Sequence, residues 1–195
     1  MATMHPLLFS FLFTALWAVV GSGNGAIANF HVDERDAVYT AKDLSDTRMQ
    51  IIGIATAEIG VRELTGKNDG ERVEEYLSYT DLGKGYAWCA AFVSWCCGKA
   101  GQPQPRNPWS PALFPNTRTY CKRGVCHKAD IQKQIKRADI FGIYGVTAKR
   151  IHHVGIIREI KGRYIVTVEG NSNDKVESRR RHLSTVYALS NWLKD

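Results

Sequence analysis

Tyr86-Ala87-Trp88-Cys89-Ala90-Ala91-Phe92-Val93 is the stretch whose reading sets the fold. It follows a glycine-containing loop, 79 to 87, and opens a run in which Cys89, Phe92, Val93, Cys96 and Ala100 recur at helical spacing until Gly101. Residues three and four apart share one face of a helix, and glycine readily ends one. Cys89 is therefore the first periodic residue of a helix. At that position unpaired backbone N–H groups and the helix dipole favour a thiolate. The small residues directly after it leave room for a reacting group and for backbone donors.

Upstream, Ser45 can cap a helix over about 46 to 60, with Met49, Ile52, Ala55 and Ile59 on one face. The turn Gly66-Lys67-Asn68-Asp69-Gly70 separates it from a short helix, Glu71 to Ser78, in which Val73, Tyr76 and Leu77 share a face. Downstream, five of the six prolines fall between Pro103 and Pro115 and make a long, stiff loop, with a short helix starting at Ser110-Pro111. From Asp139 the pattern turns to strands: Ile140 to Tyr144, Ile151 to Glu159, Tyr164 to Glu169 and Val186 to Leu189. Helices first and strands last predict an α+β fold with a mostly antiparallel sheet.

At 195 residues, with 44% hydrophobic and 23% charged, the chain has the balance of a globular protein large enough to bury a real core. Residues 1–28 carry no Lys, Arg, Asp or Glu, and Leu7 to Val20 is almost unbroken in apolar character. That run is short of the roughly 20 apolar residues of a membrane-spanning helix. With Ala26-Ile27-Ala28 ahead of Asn29 as an A-x-A cleavage site, it reads as a secretory signal peptide. The expected organisation is a signal at 1–28, a lead-in at 29–44 and one domain at 45–195, in a secreted or periplasmic protein.

Export permits disulfides. The five cysteines, Cys89, Cys96, Cys97, Cys121 and Cys126, are odd in number, so at least one thiol stays unpaired. If that thiol is Cys89, the other four can pair in three ways, and the short loop from Cys121 to Cys126 is one candidate. The formal charge of +7 is concentrated at Lys122 to Arg137 and Arg179-Arg180-Arg181. A basic surface attracts polyanions, and for an exported chain an anionic cell-wall polymer is met before nucleic acid. No nucleic-acid module is recognisable. Such charge runs are most simply read as solvated faces.

A thiol nucleophile needs a base within hydrogen-bond reach, and the base needs a third group to hold its ring. Ile151-His152-His153-Val154-Gly155-Ile156-Ile157 supplies imidazoles in an apolar strand. Alternation puts His153, Gly155 and Ile157 on one face and His152, Val154 and Ile156 on the other. Gly155 leaves open space on the face of His153, which favours His153 as the base. The following strand ends Val168-Glu169-Gly170-Asn171, and either Glu169 or Asn171 could accept the ring's other proton. The histidines and cysteines lack zinc-site spacing, so no metal or organic cofactor is expected.

A Trp-Cys at a helix start, a His-Val-Gly-Ile strand and a Glu-Gly-Asn at the end of the next strand together resemble the CHAP family. These are cysteine- and histidine-dependent amidohydrolases and peptidases, within the NlpC-type papain-like cell-wall hydrolases. The resemblance covers roughly Ile51 to Asn173. It implies a papain-like core, with Cys89 as nucleophile, His153 as general base, and Glu169 with Asn171 orienting the imidazole. It also implies peptidoglycan as the partner and cleavage of peptide or amide bonds as the reaction. Tyr86 and Trp88, flanking the cysteine, are read as substrate contacts. Ala138-Asp139 stands where the family usually has Gly-Asp, and Cys96, Cys97, Cys121 and Cys126 are not part of the pattern. An acyltransferase or transglutaminase-like enzyme with the same site, or an idle wall-binding module, are the alternatives the residues leave open.

Overall fold

The computed structural model describes residues 34–123 and 125–193, with side chains from residue 43 onward. The expected signal peptide at 1–28 lies outside the described residues. All the described elements belong to one unit, Asp33–Asp195. Three helices come first: α1 (Glu34–Ala57), α2 (Glu71–Tyr79) and α3 (Cys89–Lys99). They are followed by β1 (Thr119–Lys122), a short α4 (Ala129–Gln132), β2 (Ile140–Gly145), β3 (Arg150–Lys161), β4 (Tyr164–Glu169), β5 (Glu177–His182) and β6 (Ala188–Ser190). The strands form a six-stranded sheet in the order β1-β6-β2-β3-β4-β5, every pairing antiparallel. The α+β expectation with an antiparallel sheet is met.

The helix bounds differ at one place. Helix α1 begins at Glu34, so part of the expected lead-in at 29–44 is helical, and Ser45 sits inside the helix instead of capping it. Helix α2 buries Val73, Tyr76 and Leu77, as the periodicity requires. Helix α3 is buried all round, from Cys89 to Cys97, which is the environment an evenly apolar helix needs.

The sheet has a core on each face. Val154, Ile156, Val168 and Ala188 meet Ile51, Ala55, Tyr76, Phe92 and Cys96 of the three leading helices. Phe141, Ile157, Ile165 and Leu189 instead pack with Cys121, Cys126 and Ile135. This division settles the cysteine pairing. Cys121 and Cys126 form a disulfide, whereas Cys96 and Cys97 are free and buried. The candidate pairing of Cys96 or Cys97 is therefore corrected: those thiols lie in the helix-side core, and Cys121 and Cys126 lie in the other. Burial drives both helix thiols up, Cys97 to about 12 and Cys96 well above its ordinary value, so they stay protonated and inert.

One buried ion pair fixes α1 to the sheet. Arg48 Nη1 donates to Asp139 Oδ1 at 3.0 Å, and Arg48 Nη2 donates to Asn191 Oδ1 at 3.0 Å. Asp139 also accepts from the Tyr120 hydroxyl at 2.7 Å and from the Lys136 N–H at 2.8 Å. Ala138, where the CHAP pattern has glycine, takes φ +63°, a backbone that glycine adopts without steric cost. Charged groups this deeply buried require such partners.

Two strands have no counterpart in the hydrophobic pattern, β1 and β5. Strand β5 reads Glu-Ser-Arg-Arg-Arg-His and lies at the sheet edge, where one face and one edge remain in water. Charged residues suit such an edge, and they mask the strand's period in the sequence.

The Cys121–Cys126 bond spans a sequence separation of 5. Closing so short a loop stabilises the fold by about 2 kcal/mol. Reduction should lower Tm by about 4–8 °C for a chain of this size, followed by circular dichroism with and without reductant. Cys121→Ser/Cys126→Ser should melt where the reduced protein does. An unchanged Tm on reduction would show that the bond is absent from the folded protein.

Candidate active site

Cys89 is the first residue of α3, and Trp88 at the cap position offers the helix no side-chain cap. Trp88 is itself fully buried, with its ring 5.6 Å from that of Tyr76 and 6.4 Å from that of Phe92. Its Nε1 donates to Glu63 Oε1 at 2.8 Å. It anchors the helix start in the core and has no surface to offer a ligand, which corrects its reading as a substrate contact. Tyr86, by contrast, is 58% exposed.

The thiol meets the backbone of β3. The β3–β4 ladder extends only as far as Ile156↔Val168, and beyond that point β3 faces the start of α3. Cys89 Sγ lies 3.9 Å from the carbonyl oxygen of His152 and 3.4 Å from Ser110 Oγ. Burial pushes the Cys89 thiol up. Hydrogen bonding and charge from His153, with hydrogen bonds from Ser110 and the Val154 N–H, outweigh it and bring the thiol below its ordinary value.

A β-bulge decides which histidine faces what. Ile143 pairs with His153 and Tyr144 with Ile151, leaving His152 as the extra residue. Strict alternation would put Ile151 on the face of His153, yet Ile151 joins Val154 and Ile156 in the helix-side core. His152 is thrown outward and is exposed, its ring against Gly145. His153 is mostly buried, with its ring 6.4 Å from Phe141.

Glu169 completes the chain of contacts. His153 Nε2 lies 2.7 Å from Glu169 Oε2, which leaves Nδ1 as the nitrogen for the thiol. Glu169 is fully buried at the end of β4. Its Oε1 accepts from Thr167 Oγ1 at 2.5 Å and from Arg181 Nε at 2.6 Å, and its Oε2 accepts from Arg181 Nη2 at 2.5 Å. Burial pushes the carboxyl up, but Arg181, His153 and Thr167 together bring it down to about 2. Burial likewise pushes the His153 imidazole down, and its bonds to Cys89 and Glu169 raise it to about 9. The arrangement favours a thiolate and imidazolium pair backed by a carboxylate.

Two glycines permit these approaches. A Cβ on Gly155 would come within 2.9 Å of Glu169 Cγ and 2.8 Å of Phe141. The open space beside His153 is therefore filled by the Glu169 side chain. A Cβ on Gly170 would come within 2.7 Å of both Phe92 and Trp88, so the end of β4 sits directly on α3.

Asn171 is placed differently from the expectation. Its Nδ2 donates to Asn68 Oδ1 at 2.5 Å and to Glu63 Oε1 at 3.2 Å, and it is not bonded to His153. Its φ of +53° turns the chain away after Gly170, so the carboxamide ties the 63–70 turn to the site instead of holding the imidazole. Asn171 still lines an open recess of about 230 Å³ with Ile143, His152, His153, Ser172, Asn173 and Arg181. The structure thus brings Cys89, His153 and Glu169 together and adds Ser110, Thr167, Glu63 and Arg181. The pattern of charges in 177–182 held a signal for Arg181, since Arg179 and Arg181 alternate on one strand face, but a run of three arginines reads first as a solvated stretch.

Neither a curated protein nor a solved structure matches the chain. Residues 81–171 match the family model of the CHAP domain, a span that contains Cys89, His153, Glu169 and Asn171 and excludes α1, α2 and β5. The matched span is that of a CHAP-type domain, and it holds the start of α3 with β2, β3 and β4, which carry this thiol, imidazole and carboxylate.

Proposed function

We propose that the protein is an exported peptidoglycan amidase or endopeptidase that cleaves amide bonds of cell-wall peptides, with Cys89 as nucleophile, His153 as proton carrier and Glu169 as the group that holds the imidazole. The observation that carries this reading is the contact chain from Cys89 through His153 to the buried Glu169, inside a CHAP-type domain. CHAP domains belong in general with peptidoglycan hydrolysis. The charge of +7 favours approach to an anionic wall polymer.

In this reaction the Cys89 thiolate attacks the amide carbonyl, and the N–H groups of the uncapped first turn of α3 face the developing oxyanion. The imidazolium of His153 gives its proton to the leaving amine as the C–N bond breaks, which leaves a thioester on Cys89. Neutral His153 then takes a proton from water, the resulting hydroxide attacks the thioester, and the carboxylic acid product departs as the thiolate and imidazolium re-form. Glu169 stays a carboxylate, accepts a hydrogen bond from Nε2–H throughout, and keeps Nδ1 directed at sulfur and substrate.

Cys89→Ser should keep the wild-type melting curve and release no muropeptides from purified sacculi, and mass spectrometry of the wild-type digest should show new amine and carboxyl ends at one type of bond. Intact sacculi after digestion with the wild-type protein would refute the reading.

The pH behaviour follows from the direction of the shifts. Imidazolium is required, and His153 keeps its proton up to about 9, so kcat/KM should decline above that pH. His153 is raised above its ordinary 6.5, so its contribution to stability is full below 6.5 and lost as pH rises through about 9. Glu169 is lowered from 4.5, so its contribution is full above 4.5 and lost as pH falls towards about 2. His153→Ala should cost about a hundredfold to ten-thousandfold in rate, whereas His152→Ala should stay active. Glu169→Gln should move the alkaline limb below 9. An alkaline limb unmoved by Glu169→Gln would remove that carboxylate from the mechanism.

A further inference from the structure

Arg181 lies outside the span that matches the CHAP model, on the edge strand β5. Its guanidinium nevertheless closes the contact chain at the end away from the thiol. Nε and Nη2 grip the two oxygens of Glu169 at 2.6 Å and 2.5 Å, the planar fork that arginine makes with a carboxylate. The same guanidinium sits 5.5 Å from the Phe141 ring centroid, and that ring packs edge-on against His153. Register places it there: Arg181 pairs with Ile165 and shares a sheet face with Thr167, Glu169, Phe141 and His153.

Charge accounting shows what the fork does. The reactive state holds a thiolate on Cys89, an imidazolium on His153 and a carboxylate on Glu169, which sum to one negative charge among mostly buried groups. Arg181 brings the sum to zero. The other charged and titratable groups here come from β3 (Arg150, His152), β5 (Glu177, Arg179) and the 63–70 turn, where Glu63 is half-buried and accepts from Trp88 Nε1 and Asn171 Nδ2. His152 is exposed, and Arg179 is taken up by Glu177 at 3.0 Å. Without Arg181, the site would bury a net negative charge and would take up a proton to avoid it.

We propose that Arg181 is a positioning residue that keeps Glu169 ionised and aimed at His153, and that its charge sustains the Cys89 thiolate at neutral pH. The role rests on the proposed Cys89–His153 chemistry, but its first readout, thiol labelling, does not need peptidoglycan. The probe is iodoacetamide, and the readout is the rate of Cys89 alkylation against pH, with labelled peptides separated by mass spectrometry from those of Cys96 and Cys97. In the wild type Cys89 should label at pH 7 while the two core thiols stay unlabelled in folded protein. In Arg181→Gln the acidic limb of Cys89 labelling should rise by about one unit, so labelling on that limb slows up to about tenfold. Arg181→Lys keeps the charge but not the fork: its acidic limb should return to the wild-type position, while hydrolysis of sacculi stays at least several-fold below wild type.

A wild-type limb in folded Arg181→Gln would overturn the proposal. So would Arg181→Lys matching wild type in hydrolysis, because the fork would then have no effect. If circular dichroism shows Arg181→Gln unfolded, Arg181→Lys decides by its paired readouts, limb retained and hydrolysis reduced. Failure of wild-type protein to digest sacculi, with the labelling shifts intact, would instead count against the substrate and leave the role of Arg181 standing.

Discussion

A carboxylate shut away from water keeps its charge only if donors surround it, and Glu169 is surrounded from three strands. Thr167 comes from its own strand β4, His153 from β3 and Arg181 from β5. Each donor requires the neighbouring strand in its observed register, so the charge at Glu169 and the order β3-β4-β5 support one another. The thiol at the far end depends on the same constraint. Its lowered proton affinity comes chiefly from His153, and His153 keeps its proton through its bonds to Cys89 and to the ionised Glu169.

The helix layer places the thiol against that network. Helix α3 is buried through nearly its whole length, and its first turn abuts β3 where β4 has ended. Gly170 lets the end of β4 rest on Phe92 and Trp88, and Trp88 is tied through Glu63 to Asn171 just beyond. Trp88, just before Cys89, and Asn171, just after Glu169 and Gly170, thus share one polar link. Two halves of the site that are far apart in sequence are held together by core packing and by one carboxylate of the 63–70 turn.

The cysteines divide by the face of the sheet on which each lies and, within α3, by their neighbours. Cys89 has polar neighbours at a helix start, Cys96 and Cys97 have apolar ones in the helix-side core, and Cys121 and Cys126 are joined beneath the other face. Identical side chains therefore reach three states: a thiol of lowered proton affinity, two thiols held protonated by burial, and a crosslink made by proximity.

The α+β class, the helix beginning at Cys89, four of the six strands and the three residues that the fold brings together, Cys89, His153 and Glu169, were legible in the sequence, because period, turn residues and a Trp-Cys, His-Val-Gly-Ile, Glu-Gly-Asn order are local signals. The strand β5 was not, since an edge strand of arginines has no apolar alternation to read. The bulge at His152 was not, since it depends on pairing with β2, and alternation in β3 alone misplaces Ile151. Trp88 and Asn171 look like site residues by their spacing, yet core burial claims the first and a positive φ with partners in the 63–70 turn claims the second. Local sequence by itself determined which residues could do chemistry. The tertiary structure alone decided that Arg181 faces Glu169, that Cys96 and Cys97 stay unpaired and that His153 points inward, because each of these depends on distance and burial between segments that the linear order does not bring together.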